Sequence, residues 1–579
     1  MVLKNEEALK KYLKRLDPIL AEKISSSQKI ADVGCATGQL LQLLAKEHRK
    51  SKKSLWGFDI SADFVSRAQK SFANVFLLDP SKQELPEKEF DLIFVLDVLE
   101  HAENPKKFLE NISRSLKNNG LLIVSTPNLG SLSHFIQGPK WFGFKDKTHR
   151  SFYDKLSLTK LLNSCHLQIV KLKTISLAGL GFYDKIISQT YFGGQIIALI
   201  EKKPKAAVCI YNIGIGNTDF LAKKISFWQE QNIKVKMVCP AFLIADFKKL
   251  VREVEYIGIP FCKTAKSKLV LVPELFKRSL LAILYIPGII RNTDVIYSIS
   301  SVLDELLLPF FIRIFSRKLT WTVLFENKVV FKKPGDLLIR VLAFAFYKIS
   351  LLLLKKADKI FVISENLKIF LIEQGFQEKK LILTGNAIDK DQIKMALAQR
   401  QAWSDALFLG RISQDKGVFD LIKICQRVKQ KYPDFSLWIV GSGDRATENK
   451  LKKTIAGLSL KKNIKLFGYV SGFQKFLFLT SCKIFVSLSH EESFGVAILE
   501  AVASGRKTIA YDLPAYKQIY LNNEITTVSV GDTKAFSEKV IELLDRKDFD
   551  NPAGLMLLNS EKYSYERISK LEMDNFKKP

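Results

Sequence analysis

His490-Glu491-Glu492-Ser493-Phe494-Gly495-Val496-Ala497-Ile498-Leu499-Glu500 sets two carboxylates eight positions apart around a glycine and an apolar run. The run reads as a helix starting near Phe494, with Glu500 facing inward on its second turn and Glu492 on the loop before it. Two acceptor-only carboxylates so placed can grip hydroxyls at opposite ends of one ligand. The helix N-terminus between them offers free N–H groups to a phosphate.

Two upstream stretches extend the pattern. Ala406-Leu407-Phe408-Leu409-Gly410 is a strand that runs into Arg411, then into Ile412-Ser413-Gln414-Asp415-Lys416-Gly417 and a helix. An arginine and a lysine five residues apart across such a junction can reach one diphosphate, the first as a planar fork and the second as a point charge. Taken alone, the pair also reads as two solvated loop cations. Further on, LWIVGSGD is a strand entering the turn Gly441-Ser442-Gly443, where a ligand can lie against backbone.

Together these residues resemble glycosyltransferase family 4, enzymes of the GT-B type, and the similarity covers residues 205–579. The resemblance implies that Gly410, Arg411, Lys416, Gly441 and Gly443 bind the donor diphosphate of a nucleotide-sugar. It gives Glu492 the donor sugar, Glu500 the nucleotide ribose, and the Phe494, Gly495 and Val496 backbone the phosphate. It also sets Gly214 and Gly216 of the preceding lobe against the diphosphate. Sugar transfer with retention is implied, with Arg411, Lys416 and Glu492 as catalytic residues. Stabilising the departing diphosphate would be the main catalytic term, and no metal is required because the two cations replace it. One departure stands out, since residues 205–489 contain no histidine where many members carry one near the acceptor. Glu326, at the end of the strand LTWTVLF, either takes an acceptor-side role or is a solvated loop acid.

The front of the chain carries a different signature. Asp32-Val33-Gly34-Cys35-Ala36-Thr37-Gly38 follows a short apolar strand and opens a helix. Small residues at 34, 36 and 38 permit a tight turn and close ligand approach. The next strand ends in Asp59, placed to accept hydrogen bonds from ribose hydroxyls. Later strands bring Asp79, and then Asp97, Glu100 and His101, to the same sheet edge. Asp32, two residues before the first glycine, would repel a pyrophosphate but suits a cationic amino-acid group. These motifs resemble class I methyltransferases that use S-adenosyl-L-methionine (SAM), over residues 28–200. The resemblance implies that Asp32, Gly34, Ala36 and Gly38 line the methionine part of SAM, that Asp59 holds the ribose, and that Asp79 flanks the adenine, with Asp97 nearby. Placement in line carries most of methyl transfer. If the acceptor is a hydroxyl, His101 or His149 is the candidate base; a structural histidine is the other reading of each.

At 579 residues, with 47% hydrophobic content, the chain holds several cores and is not a disordered polymer. The fold expected is α/β: a Rossmann-like methyltransferase domain over 1–203, then a GT-B pair of Rossmann-like lobes over 204–400 and 401–579. Glu201–Lys205 reads as the linker. The seven cysteines are scattered and form no C-x-x-C pair, as expected of free thiols in the cytoplasm. The net charge of +30 asks for an anionic partner. Nucleic acid is disfavoured, because the lysines are dispersed and no RNA- or DNA-binding signature accompanies them. Anionic membrane fits better. Leu337–Leu354 is apolar apart from Arg340 and Lys348, which with Lys355 form a narrow basic stripe on a helix. A buried helix that snorkels its lysines is the other reading. The function expected is a bifunctional enzyme that glycosylates and methylates a glycan or lipid-linked saccharide at the inner face of the cell membrane. The alternatives are a glycosyltransferase with a non-catalytic docking module in front, and a basic membrane- or RNA-binding scaffold.

Overall fold

A computed structural model describes residues 18–175, 190, 192–213, 218–251, 253–261, 268–316, 318–329, 337–399, 404–520, 524–547 and 549–576. The chain divides into two compact units, Met1–Lys205 with Glu230–Asn232, and Ala206–Gln229 with Ile233–Pro579.

The first unit is built on β1 (Ile30–Val33), β2 (Leu55–Asp59), β3 (Val75–Leu77), β4 (Phe90–Leu96), β5 (Leu116–Pro127), β6 (Leu167–Ile175) and β7 (Gln195–Lys202). They lie in the order β3-β2-β1-β4-β5-β7-β6, with β7 antiparallel to both of its neighbours. Helices cover both faces, so central strands are apolar throughout rather than alternating. Ile30 packs with Leu41 and Leu44 on one side, while Val33 packs with Phe108 and Ile112 on the other. The sheet order reverses between β1 and β4, which leaves a crevice beyond their C-terminal ends.

The second unit has two parallel sheets. One contains β8 (Ala206–Tyr211), β9 (Ile233–Pro240), β10 (Glu255–Ile259), β11 (Val295–Ser298), β12 (Thr320–Phe325), β13 (Lys359–Val362) and β14 (Leu381–Leu383), in the order β10-β9-β8-β11-β12-β13-β14. The other contains β15 (Ser404–Leu409), β16 (Leu437–Val440), β17 (Ile464–Leu466), β18 (Cys482–Ser487), β19 (Lys507–Tyr511) and β20 (Thr526–Val528), in the order β17-β16-β15-β18-β19-β20. Its reversal falls between β15 and β18. Late in the chain, the helix Tyr565–Asp574 returns to the first of these sheets. There Glu572 accepts from Lys224 Nζ at 2.6 Å and from the Tyr297 hydroxyl at 3.1 Å, all three side chains being buried. Trp228 Nε1 donates to the Ser569 carbonyl at 3.1 Å.

Three details differ from the sequence reading. Glu201 and Lys202 finish β7 instead of opening a linker, and Gln168 Nε2 donates to the Glu201 carboxylate at 2.6 Å. The helix after Gly495 starts at Val496, because Gly495 takes a left-handed φ of 84° at its N-cap. Leu337–Leu354 is one helix, but Ser350, Leu351 and Leu354 are buried while Ile349 and Leu352 are exposed. It is therefore half-buried, with Lys348 on its exposed side.

Candidate active sites

In the first unit the loop after β1 lies against the turn after β4. Gly34 has φ 81°, and a Cβ there would fall 2.2 Å from Val98 Cγ2, so a side chain is excluded by both conformation and contact. Ala36 is also left-handed, and its N–H donates to Asp59 Oδ2 at 2.8 Å. Ser61 N–H donates to Asp59 Oδ1 at 2.9 Å. Asp59 thus holds the glycine loop in shape, and each of its oxygens keeps a further lone pair for a ligand. Gly38 caps the helix Gln39–Glu47. Asp32 is buried, and burial followed by the nearby Asp59 raises its carboxyl from 3.8 to about 7. Asp79 accepts from Ser81 N–H at 2.8 Å.

Beyond β4, Asp97 accepts from Ser125 Oγ at 2.7 Å and from Gln195 Nε2. Glu100 is 1% exposed, and burial together with Asp97 raises its carboxyl to about 8. The His101 and His149 rings lie edge to face with centroids 4.7 Å apart. Burial lowers the affinity of His101 for a proton. The two histidines named from sequence therefore belong to one cluster.

In the second unit the loops after β15 and β18 meet. His490 N–H donates to the Asp415 carbonyl at 2.9 Å. Lys416 Nζ pairs with Glu492 Oε1, and Ser489 Oγ donates to that same oxygen at 2.8 Å. Gly417, with φ 71°, allows the close passage, since a Cβ there would lie 2.1 Å from the Leu488 carbonyl oxygen. Gly410 N–H donates to the Val440 carbonyl at 3.0 Å, and a bridge from Ile412 to Gly443 continues the β15–β16 ladder into the turn at Gly441. Arg411 is more open. Its side chain is 74% exposed and pairs with Asp415 at 3.6 Å, not with Glu492.

Glu500 is buried on the helix Val496–Ala503 and pairs with Lys475 at 2.5 Å. Burial raises its carboxyl, and Lys475 draws it back down. Phe494 is buried before that helix. Glu326 follows β12 and is half-buried; burial raises its carboxyl while Lys224 opposes the shift. The next residue, Asn327, accepts from Ser493 Oγ at 3.0 Å, so the Glu326 loop touches the Glu492 loop. Gly214 and Gly216 lie outside the described residues.

Sequence reasoning passed over Lys475 and Ser489 in this site, and Ser125, Gln195 and Thr148 in the first. Each reaches its partner by tertiary contact from an element without a motif. Ser489 is the exception, as it stands three positions before Glu492 on the same loop.

Two domain families are recognised in the chain. Residues 389–554 match the model for glycosyl transferases group 1, and residues 3–172 match a model for a methyltransferase domain. The chain thus joins a methyltransferase domain to a group 1 glycosyltransferase domain of GT-B fold. Among solved structures, sucrose-phosphate synthase from Thermosynechococcus elongatus matches with a TM-score of 0.53 at 15% identity, over 64% of this chain and 98% of that one, which is a likeness of fold. Among curated relatives, the phosphatidyl-myo-inositol mannosyltransferase of Mycobacterium leprae (strain TN) is 31% identical over 141 residues, 24% of this chain and 36% of that protein. The GDP-mannose:cellobiosyl-diphosphopolyprenol alpha-mannosyltransferase of Xanthomonas oryzae pv. oryzae is 25% identical over 173 residues, 29% of this chain and 46% of the relative. The poly(glycerol-phosphate) alpha-glucosyltransferase of Bacillus subtilis (strain 168) is 31% identical over 156 residues, 26% and 22% respectively. The chain spans less than half the length of each.

Proposed function

We propose that this protein transfers a sugar from a nucleotide-sugar to a glycan or lipid-linked saccharide, with retention and without a metal, and that its front domain methylates the same class of product from SAM. The observation that carries the reading is the meeting of Lys416 and Glu492 where the β15–β18 sheet order reverses. A diphosphate can claim the ammonium while sugar hydroxyls claim the carboxylate, with Arg411 closing on the leaving group from the open side. In the first unit, Asp32 and Asp59 around the Gly34–Gly38 loop suit the amino group and ribose of SAM. The relatives named for lipid-linked and polymeric acceptors support that acceptor class.

Work at the inner face of a membrane is part of this proposal, and the acceptor class and the surface of residues 204–400 support membrane contact. Adjoining helices there expose Leu280, Ile283, Phe311, Phe315, Ile349 and Leu352. Among the described residues no helix is long and apolar enough to cross a membrane. Such a surface can lie in the headgroup region, helped by the net positive charge. The test incubates the full chain with labelled SAM and a panel of nucleotide-sugars, using saccharide-lipid acceptors in anionic vesicles. Turnover of both donors on one acceptor is expected; turnover of neither overturns the reading.

A further inference from the structure

We infer that Glu100, His101 and His149 form a site for one divalent cation of borderline softness, of the Mn2+, Co2+ or Zn2+ kind. One ligand atom from each of the three lies within 4.8 Å of the other two. The sequence reading expects no metal anywhere in the chain, on the ground that Arg411 and Lys416 replace one at the diphosphate, and this cluster departs from it.

The buried carboxylate points to the ligand. Both Glu100 oxygens are enclosed and have no hydrogen-bond partner among the described residues. The Glu100 N–H and the Thr126 hydroxyl lie near without making bonds of normal geometry. Enclosing an acid without a well-made hydrogen bond is costly, and a bound cation offsets that cost.

Both histidine rings are held through Nδ1. Thr148 donates its hydroxyl proton to Asp146 Oδ1 at 2.6 Å, so its oxygen accepts from His101 Nδ1–H at 2.9 Å. His149 Nδ1–H donates to the Gly143 carbonyl at 2.7 Å. In both rings Nδ1 then carries the proton and Nε2 keeps the lone pair. Asp146 Oδ2 is 3.8 Å from His149 Nε2, outside hydrogen-bond reach. Fixing the ring through its other nitrogen, by a carbonyl or a hydroxyl–carboxylate relay, is the usual support of a ligating imidazole. Two imidazoles with one carboxylate favour borderline transition ions over Ca2+ or Mg2+, which prefer all-oxygen sets.

The role of the ion rests on the methyltransferase reading; its binding does not. The cluster begins two residues after Val98, which packs on the SAM loop at Gly34. An acceptor hydroxyl bound to the ion gives up its proton to solvent more readily. Its oxygen then forms a bond to the SAM methyl carbon as the carbon–sulfur bond breaks, and the sulfonium leaves as a neutral thioether.

The test uses the full chain stripped by chelator. Co2+ is titrated by its visible absorption and Mn2+ by electron paramagnetic resonance, with SAM binding followed separately by calorimetry. One ion per chain is expected, with Glu100→Gln, His101→Ala and His149→Ala each weakening binding by on the order of 100-fold or more. Thr148→Val, which leaves all three ligands in place, weakens it about 10-fold and serves if a ligand variant does not fold. Absence of stoichiometric binding, or unchanged affinity in these variants, overturns the proposal. SAM binding without metal binding defeats this site alone, whereas metal binding without SAM binding upholds the site and defeats the methyltransferase reading.

Discussion

Asp32, Asp59, Asp97 and Glu100 crowd the strand ends of the first unit, and among the described residues none of them is ion-paired, whereas Glu492 and Glu500 in the second unit each hold a lysine. Like charges in a crevice raise one another's proton affinity and leave a site that gains from any ligand bringing positive charge. A sulfonium with its amino group brings that charge. Pre-formed ion pairs do the reverse. They keep an empty site neutral and can be traded for a ligand that carries both an anion and hydroxyls, as a nucleotide-sugar does.

The largest expected effect is on the traded pair. Glu492→Gln lowers sugar transfer by about 100- to 1,000-fold, while nucleoside diphosphate binding holds or tightens because Lys416 is released. Steady-state kinetics and calorimetry check this, and an unchanged turnover breaks the contrast between the units. Next comes the backbone that brings the pair together. Gly417→Ala forces a Cβ against the Leu488 carbonyl in a left-handed conformation. It should destabilise the second unit by about 3 kcal/mol and leave the thermal response of the first unit to SAM intact, as differential scanning calorimetry would show.

Lys475→Ala removes the cation beside the buried Glu500. Because Lys475 is itself 24% exposed, the expected loss is a discounted ~1–3 kcal/mol. That loss shrinks as pH falls and Glu500 takes up a proton, which urea unfolding at several pH values would reveal. A loss independent of pH would mean that packing, not charge, holds Glu500.

The smallest effect sharpens the other side. The Asp32 carboxyl sits near 7 when folded and 3.8 when unfolded, so the folded state binds the proton more tightly. Stability of the ligand-free first unit should therefore fall as pH rises between those values. Cationic SAM favours the ionised form, so its affinity should rise about 10-fold from pH 6 to pH 8. Asp32→Asn should flatten that profile in calorimetric titrations.

Strand ends and the loops after them were legible in the sequence, because parallel strands buried on both faces are continuous apolar runs and the residues that follow them mark the ligand edge. Asp32, Asp59, Lys416 and Glu492 were named in this way, and the structure places them at those strand ends. Partners that arrive from elements without a motif were not legible. Lys475 stands on the helix Gly472–Ser481, and its pairing with Glu500 depends on how two helices pack. Arg411 and Lys416 looked equivalent by spacing, yet the turn sends one into the Glu492 contact and leaves the other in the open. Glu100, His101 and His149 were visible singly, but the 48-residue separation of the two histidines hid their convergence.

Lys224 is buried among Tyr297, Trp228 and Glu572, and its counter-ion is supplied 348 residues further along the chain. On a ribosome, the 204–400 lobe is synthesised long before the carboxylate that neutralises its interior ammonium exists. Until Glu572 emerges, burying Lys224 would leave its ammonium without that partner, which is costly. Closing the core around Lys224 is thereby favoured by the arrival of the helix Tyr565–Asp574.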